Sequence, residues 1–142
     1  MSEPAEALRV LATRLREEGT PISGHVIEPE QRPELGLLAA AGPRSAASPG
    51  EYALVVEAVH EGYLLHYGES RLLSGHDPDL ALLAGDYLYA LGLDRLASLG
   101  DTAAVAVLSD LIATCARLHT EERPEAIPEL WRQAAREIAG SA

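Results

Sequence analysis

A chain of 142 residues with 47% apolar composition carries enough hydrophobic surface to fold around a core, which excludes an intrinsically disordered protein. A formal net charge of −11, from 22 acidic and 11 basic side chains, opposes binding to nucleic acid or to an anionic membrane. The lone Cys115 excludes an intrachain disulfide and a cysteine-rich zinc site.

Leu and Ala dominate the composition, which favours helix over strand. Leu8, Leu11 and Leu15 repeat at helical spacing and predict a first helix over Ser2 to Glu18, ended by Gly19. Gly19 to Glu30 reads as a loop, broken by Pro21, Gly24 and Pro29, with His25 solvated. Residues 1–30 are thus an N-terminal helix and loop, and residues 31–142 are the core of the same helical domain. Pro33 opens a short helix running to about Ala41. Ser48-Pro49-Gly50-Glu51 places a capping Ser, a Pro at the first helical position and a Glu at the third. The helix it opens is expected to run to Leu73, interrupted by Gly62 and Gly68.

Asp77-Pro78 repeats the cap-then-Pro signal and opens a helix to about Leu99. Leu80, Leu83, Tyr87 and Leu91 form one stripe on it; Leu82, Tyr89, Ala90 and Leu93 form another. A helix apolar on both sides is expected at the centre of the bundle or in an oligomer interface. Gly100 ends it, and Asp101 caps a helix to about His119 with Val105, Leu108, Ile112 and Cys115 on one face. Pro128 opens a final amphipathic helix carrying Leu130, Trp131, Ala134 and Ile138. The fold class expected is all-α, a bundle of five to six helices with short connectors. The N-terminus is not a basic region followed by an apolar run, and no uncharged apolar run approaches the roughly 20 residues of a membrane span. A cytoplasmic location is the simplest expectation.

The residues with most chemical content are Glu57, His60, His66 and Glu69. Glu57 and His60 share a helical face at i, i+3, and Glu-x-x-His is half of a carboxylate-bridged di-metal signature. No second such step exists, and Cys115 with His119 is likewise half a set, so no metal site is expected. No HExxH, P-loop or GxSxG element appears. Asp86 lies between the two apolar stripes of its helix, where a carboxylate is expected to be buried against an Arg or Tyr of a neighbouring helix.

The order of these features resembles the N-terminal half of the trans-isoprenyl diphosphate synthases. That family carries a stretch reading roughly Glu-x-Ile-His-x-x-Ser-Leu-Ile-His-Asp-Asp-x-x-Asp, and here Glu57, His60, Leu64 and His66 match it in register. Its Ala-Gly-Asp-Tyr-Leu-Leu segment is matched by Ala84-Gly85-Asp86-Tyr87-Leu88-Tyr89. Of its Gly-Gly-Lys-Arg-x-Arg-Pro diphosphate-binding motif, which would fall on Ile27 to Pro33, only Arg32-Pro33 survives. The three metal-binding Asp positions of the family are Tyr67, Gly68 and Arg71 here, and its diphosphate-holding Lys and first Arg fall on Pro29 and Glu30. The second Asp-rich motif has no counterpart in Pro124 to Ala142.

The resemblance implies an isoprenoid-synthase-like half domain without catalytic residues and without a cofactor, because ionising an allylic diphosphate needs metal clamps on the leaving group. It further implies a small regulatory or structural subunit, in a homo-oligomer or beside a catalytic prenyl synthase subunit. The alternative is a prenyl- or lipid-binding protein, or a metal-independent enzyme. It would use a residual tunnel lined by Leu64, Leu83, Tyr87 and Leu108. The candidate ligand-binding residues are His60, His66, Glu69 and Arg71 near its mouth, with Arg32 and Asp86.

Overall fold

In the computed structural model, which describes residues 3–141, the chain folds into six α-helices. A 3₁₀ turn at Pro4–Glu6 leads into α1 (Ala7–Glu17), which buries Leu8, Leu11 and Leu15 as the periodicity requires. The loop that follows holds a second 3₁₀ turn at Ser23–His25 and makes one isolated antiparallel bridge, Val26 with Leu73. His25 is half-buried there rather than solvated, its Nδ1 3.0 Å from the Ser74 carbonyl. Then come α2 (Glu34–Ala40), α3 (Pro49–Tyr67), α4 (Pro78–Ser98), α5 (Thr102–Thr120) and α6 (Ile127–Ala139).

Local signals fixed several boundaries. The Asp77 carboxylate accepts from the Leu80 N–H and Asp101 from the Ala104 N–H, each satisfying an otherwise orphaned donor of a first turn. Gly100, at φ +79°, supplies the left-handed stop after α4. Three expectations need correction. Ser48 flanks α3, but its side chain makes no capping bond. The α3 helix ends at Tyr67 and not at Leu73, because the chain leaves helical geometry at Gly68 and turns back along α3. The final helix begins at Ile127, one residue before Pro128, behind a 3₁₀ turn at Pro124–Ala126.

The centre of the bundle is α3, not α4. Every residue from Tyr52 to Val59 is buried. One side of α3 (Tyr52, Val55, Val56, Val59) joins α2, α5 and α6 in one core; Leu54, Ala58 and Leu65 join α1 and much of α4 in a second. By contrast α4 leaves Leu82 53% and Leu83 60% exposed. The α5 helix is the only one among the described residues long and apolar enough to cross a membrane by length and composition, and Asp110 and Arg117 interrupt its apolar run. In this fold Leu108, Leu111 and Cys115 of α5 are buried while Asp110 and Arg117 are exposed.

The broadest helix contact is between α3 and α4, which run antiparallel. Arg95 near the end of α4 grips Glu51 at the start of α3 with two hydrogen bonds of 2.7 and 2.8 Å. Glycines set the separation: a Cβ on Gly62 would lie 2.8 Å from the Gly85 carbonyl oxygen and equally close to the Tyr89 ring. A Gly62→Ala substitution is therefore expected to destabilise the fold by about 1–2 kcal/mol. Its gain in helix propensity, about 1 kcal/mol, is smaller than the overpacking against backbone that no rotamer relieves. The shift in urea midpoint at constant m-value measures this directly.

Candidate functional site

Glu57 and Glu61 stand one turn apart on α3 and are both fully buried. Two carboxylates in an apolar core require compensation, and the segment after Gly68 supplies it. That segment folds back so that Arg71 donates Nη1 to Glu57 Oε1 at 2.7 Å and Nε to Glu61 Oε1 at 2.9 Å. The second Glu57 oxygen accepts the Gly36 N–H of α2 at 2.8 Å. The second Glu61 oxygen accepts the Ser70 hydroxyl and the Arg71 and Leu72 N–H groups. Burial raises the Glu57 pKa, opposed by the adjacent Arg71 charge and the Gly36 N–H. All four carboxylate oxygens are engaged, while Arg71 Nη2 stays buried without a partner.

Next to this cluster lies an aromatic one. The His60 ring sits 4.8 Å from the Trp131 ring and 6.2 Å from Tyr63, centroid to centroid. The Tyr63 hydroxyl pairs with His119 Nε2 at 2.8 Å, and Tyr67 stacks on the His119 ring at 4.2 Å. Burial, aided by the positive charge of Arg71, pushes the His60 pKa down to about 3, so its imidazole is neutral at physiological pH. Its Nδ1 is buried with no hydrogen-bond partner. The Trp131 indole N–H lies near enough to Cys115 to favour its thiolate, yet makes no bond of hydrogen-bond geometry. Burial dominates at Cys115 and pushes its thiol up to about 11, which makes it an inert core residue.

His60, Tyr63 and Trp131 form part of the wall of a groove of about 570 Å³ between α2, α3 and α6. Leu35, Leu38, Leu64 and Ile127 supply aliphatic lining, and Glu34 and Arg132 stand at the groove as its charged groups.

The six residues singled out in the sequence do not converge. Only His60 lines the groove. Arg71 is committed to Glu57 and Glu61 and does not stand at a cavity mouth. His66 faces α4, its Nε2 3.2 Å from the Leu82 carbonyl and 3.3 Å from Asp86 Oδ1. Glu69 is exposed in the loop, and Arg32 is exposed 4.0 Å from Glu34. The Asp86 side chain is 74% exposed, on the outer side of α4 with exposed Leu82 and Leu83; the buried carboxylates are Glu57 and Glu61 instead. Of the four proposed tunnel residues, Leu64 lines the groove, Leu83 is exposed, and Leu108 is fully buried in the core that α5 shares with α6. Tyr87 packs against the other core and donates its hydroxyl to Glu18. Reading the sequence missed Glu61, Tyr63 and Trp131. A signal for Glu61 existed: it follows Glu57 by one turn within an unbroken apolar helix, with Arg71 the next cation along the chain.

No protein-family model, curated protein or solved structure matches this chain. Among the described residues no group of three or more His, Cys, Asp or Glu side chains is placed to hold a metal ion.

Proposed function

We propose that this chain is a non-catalytic helical subunit of a hetero-oligomer, with a catalytic prenyl synthase as its partner. The observation that carries the reading is the saturation of Glu57 and Glu61 by Arg71, Ser70 and three backbone N–H groups. A hard divalent cation needs several free oxygen ligands, and the carboxylates best placed to offer them are committed to holding the fold. The resemblance in register at Glu57, His60, Leu64 and His66 supplies the class of partner.

The surface for that partner is the outer side of α4. Exposed Leu82 and Leu83 stand there among exposed Asp79, Asp86 and Asp94. An acid-rimmed apolar patch on a chain of net charge −11 disfavours a second copy of itself and favours a partner with a basic rim. A cytoplasmic location goes with this reading.

The test is native mass spectrometry of the chain recovered from its own cell lysate, beside a Leu82→Glu/Leu83→Glu variant. The expected result is a stoichiometric complex with a chain carrying both Asp-rich motifs, lost in the variant. A monomer or a homodimer as the sole species would count against the proposal.

A further inference from the structure

We infer that the outer face of α4 is a docking seam for one α-helix of a partner protein, a helix carrying arginine or lysine at two-turn intervals between apolar residues. The inference rests on the subunit reading for the presence of a partner, and it names the element that the partner presents. Asp79, Leu83, Asp86, Ala90, Asp94 and Ala97 follow one another along α4 at steps of four, three, four, four and three residues. Such steps keep a row of side chains on one side of a helix, and a second helix is the element that stays in step with the row. All six residues are exposed. Leu83, and Leu82 beside the row, are the two most exposed large apolar side chains among the described residues. Ala90 and Ala97 leave room for the longer side chains of a helix laid along the row.

The charge of the row selects the partner. Its three carboxylates recur at intervals of seven and eight residues, about 10–12 Å along the helix axis. Among the described residues none of the three meets an arginine: Asp86 stands 3.3 Å from His66, and Asp79 and Asp94 are in no ion pair. Arg95, the one arginine of α4, is spent on Glu51 of α3. On other surfaces arginines do meet the acids, as Arg14 meets Glu18, Arg16 meets Glu28 and Arg132 meets Glu129. A helix with basic residues at two-turn intervals sets a cation against each carboxylate and its apolar residues against Leu82 and Leu83. A second copy of α4 would set acid against acid, and nucleic acid or an anionic membrane is repelled for the same reason. A partner strand has nothing to pair with, because α4 closes its own backbone hydrogen bonds.

The experiment uses two fluorescein-labelled helical peptides of about 20 residues, long enough to span α4. Both have the same content of alanine, leucine and arginine. In the first the arginines recur at two-turn intervals within the leucine face; in the second they lie on the opposite face. Fluorescence anisotropy follows the binding of each to the purified chain at roughly 0.15 M salt, where long-range attraction is screened. The first peptide is expected to bind saturably and about tenfold more tightly than the second. Asp79→Lys and Asp94→Lys are each expected to weaken it about fivefold. Asp110→Lys, the same charge change on exposed α5, is expected to leave it unchanged, and circular dichroism establishes that each variant is folded. No saturable binding, equal binding of the two peptides, or an equal loss from Asp110→Lys would overturn the seam. A synthase complex from the lysate that survives Asp79→Lys/Asp94→Lys would overturn the seam and leave the subunit reading standing. Binding of the first peptide with no synthase recovered would uphold the seam and count against the subunit reading.

Discussion

Replacing Arg71 with methionine is expected to destabilise the fold by about 3–5 kcal/mol, the usual cost of removing one partner from a buried ion pair. Met keeps much of the apolar stem but leaves Glu57 and Glu61, one turn apart and fully buried, with no counter-charge. Domains commonly have only about 5–15 kcal/mol of stability, so the variant should unfold at a far lower urea concentration. The mechanism is testable apart from the magnitude. In the triple variant Arg71→Met/Glu57→Gln/Glu61→Gln the charges are gone while the shapes remain, and a large part of the loss is expected to return. An Arg71→Met cost under about 1 kcal/mol would show that the cluster carries little of the stability that charge burial demands.

The second large effect is a dependence on acid centred at His60. In the folded chain this imidazole stays neutral down to about pH 3, whereas in the unfolded chain it takes up a proton near its ordinary 6.5. Between those values the unfolded state binds more protons, so stability falls as pH falls. One proton corresponds to about 1.4 kcal/mol per pH unit, so acidification from pH 6.5 to pH 5 removes about 2 kcal/mol through this residue. Glu57 acts in the opposite sense. Its raised folded pKa is a destabilising contribution above that pKa, and it fades as acidification protonates the buried carboxyl. The difference between wild type and His60→Gln isolates the histidine. Their stability gap, from urea unfolding at half-unit steps between pH 7.5 and 5, is expected to shift against the wild type by about 1.4 kcal/mol per unit below pH 6.5. A pH-independent gap would mean that His60 charges freely within the fold.

The features legible in the sequence are those whose cause is local. Asp77, Asp101 and Gly100 act on their own backbone neighbourhood, and the helices they bound stand where those residues put them. The Leu8, Leu11, Leu15 stripe needs only one side to bury, and α1 buries it. Where the outcome depends on what lies across the bundle, the sequence was ambiguous. Gly62 and Gly68 are the same residue six positions apart on one apolar segment. One stays helical against Gly85, and the other ends the helix and leads into the loop that carries Arg71.

Asp86 and Glu61 likewise both sit in helices with apolar residues all round. Which carboxylate is buried depends on which helix is enclosed, and α3 is enclosed because α1, α2 and α4 all pack on it. The groove was the least legible feature. It is assembled from Glu34 to Leu38, His60 to Leu64 and Pro124 to Arg132, stretches with no shared pattern until the chain has folded.

The placement of α3 between two hydrophobic cores bears on how the molecule comes apart. Tyr52, Val55, Val56 and Val59 belong to one core and Leu54, Ala58 and Leu65 to the other, on a single unbroken helix. Melting that helix opens both sides at once, and detaching either side strips the helix of half its support. The two halves therefore share one fate, and a population with one core formed and the other lost has no stable place between native and unfolded chains. For a quality-control protease, such a chain is either shut or wholly accessible.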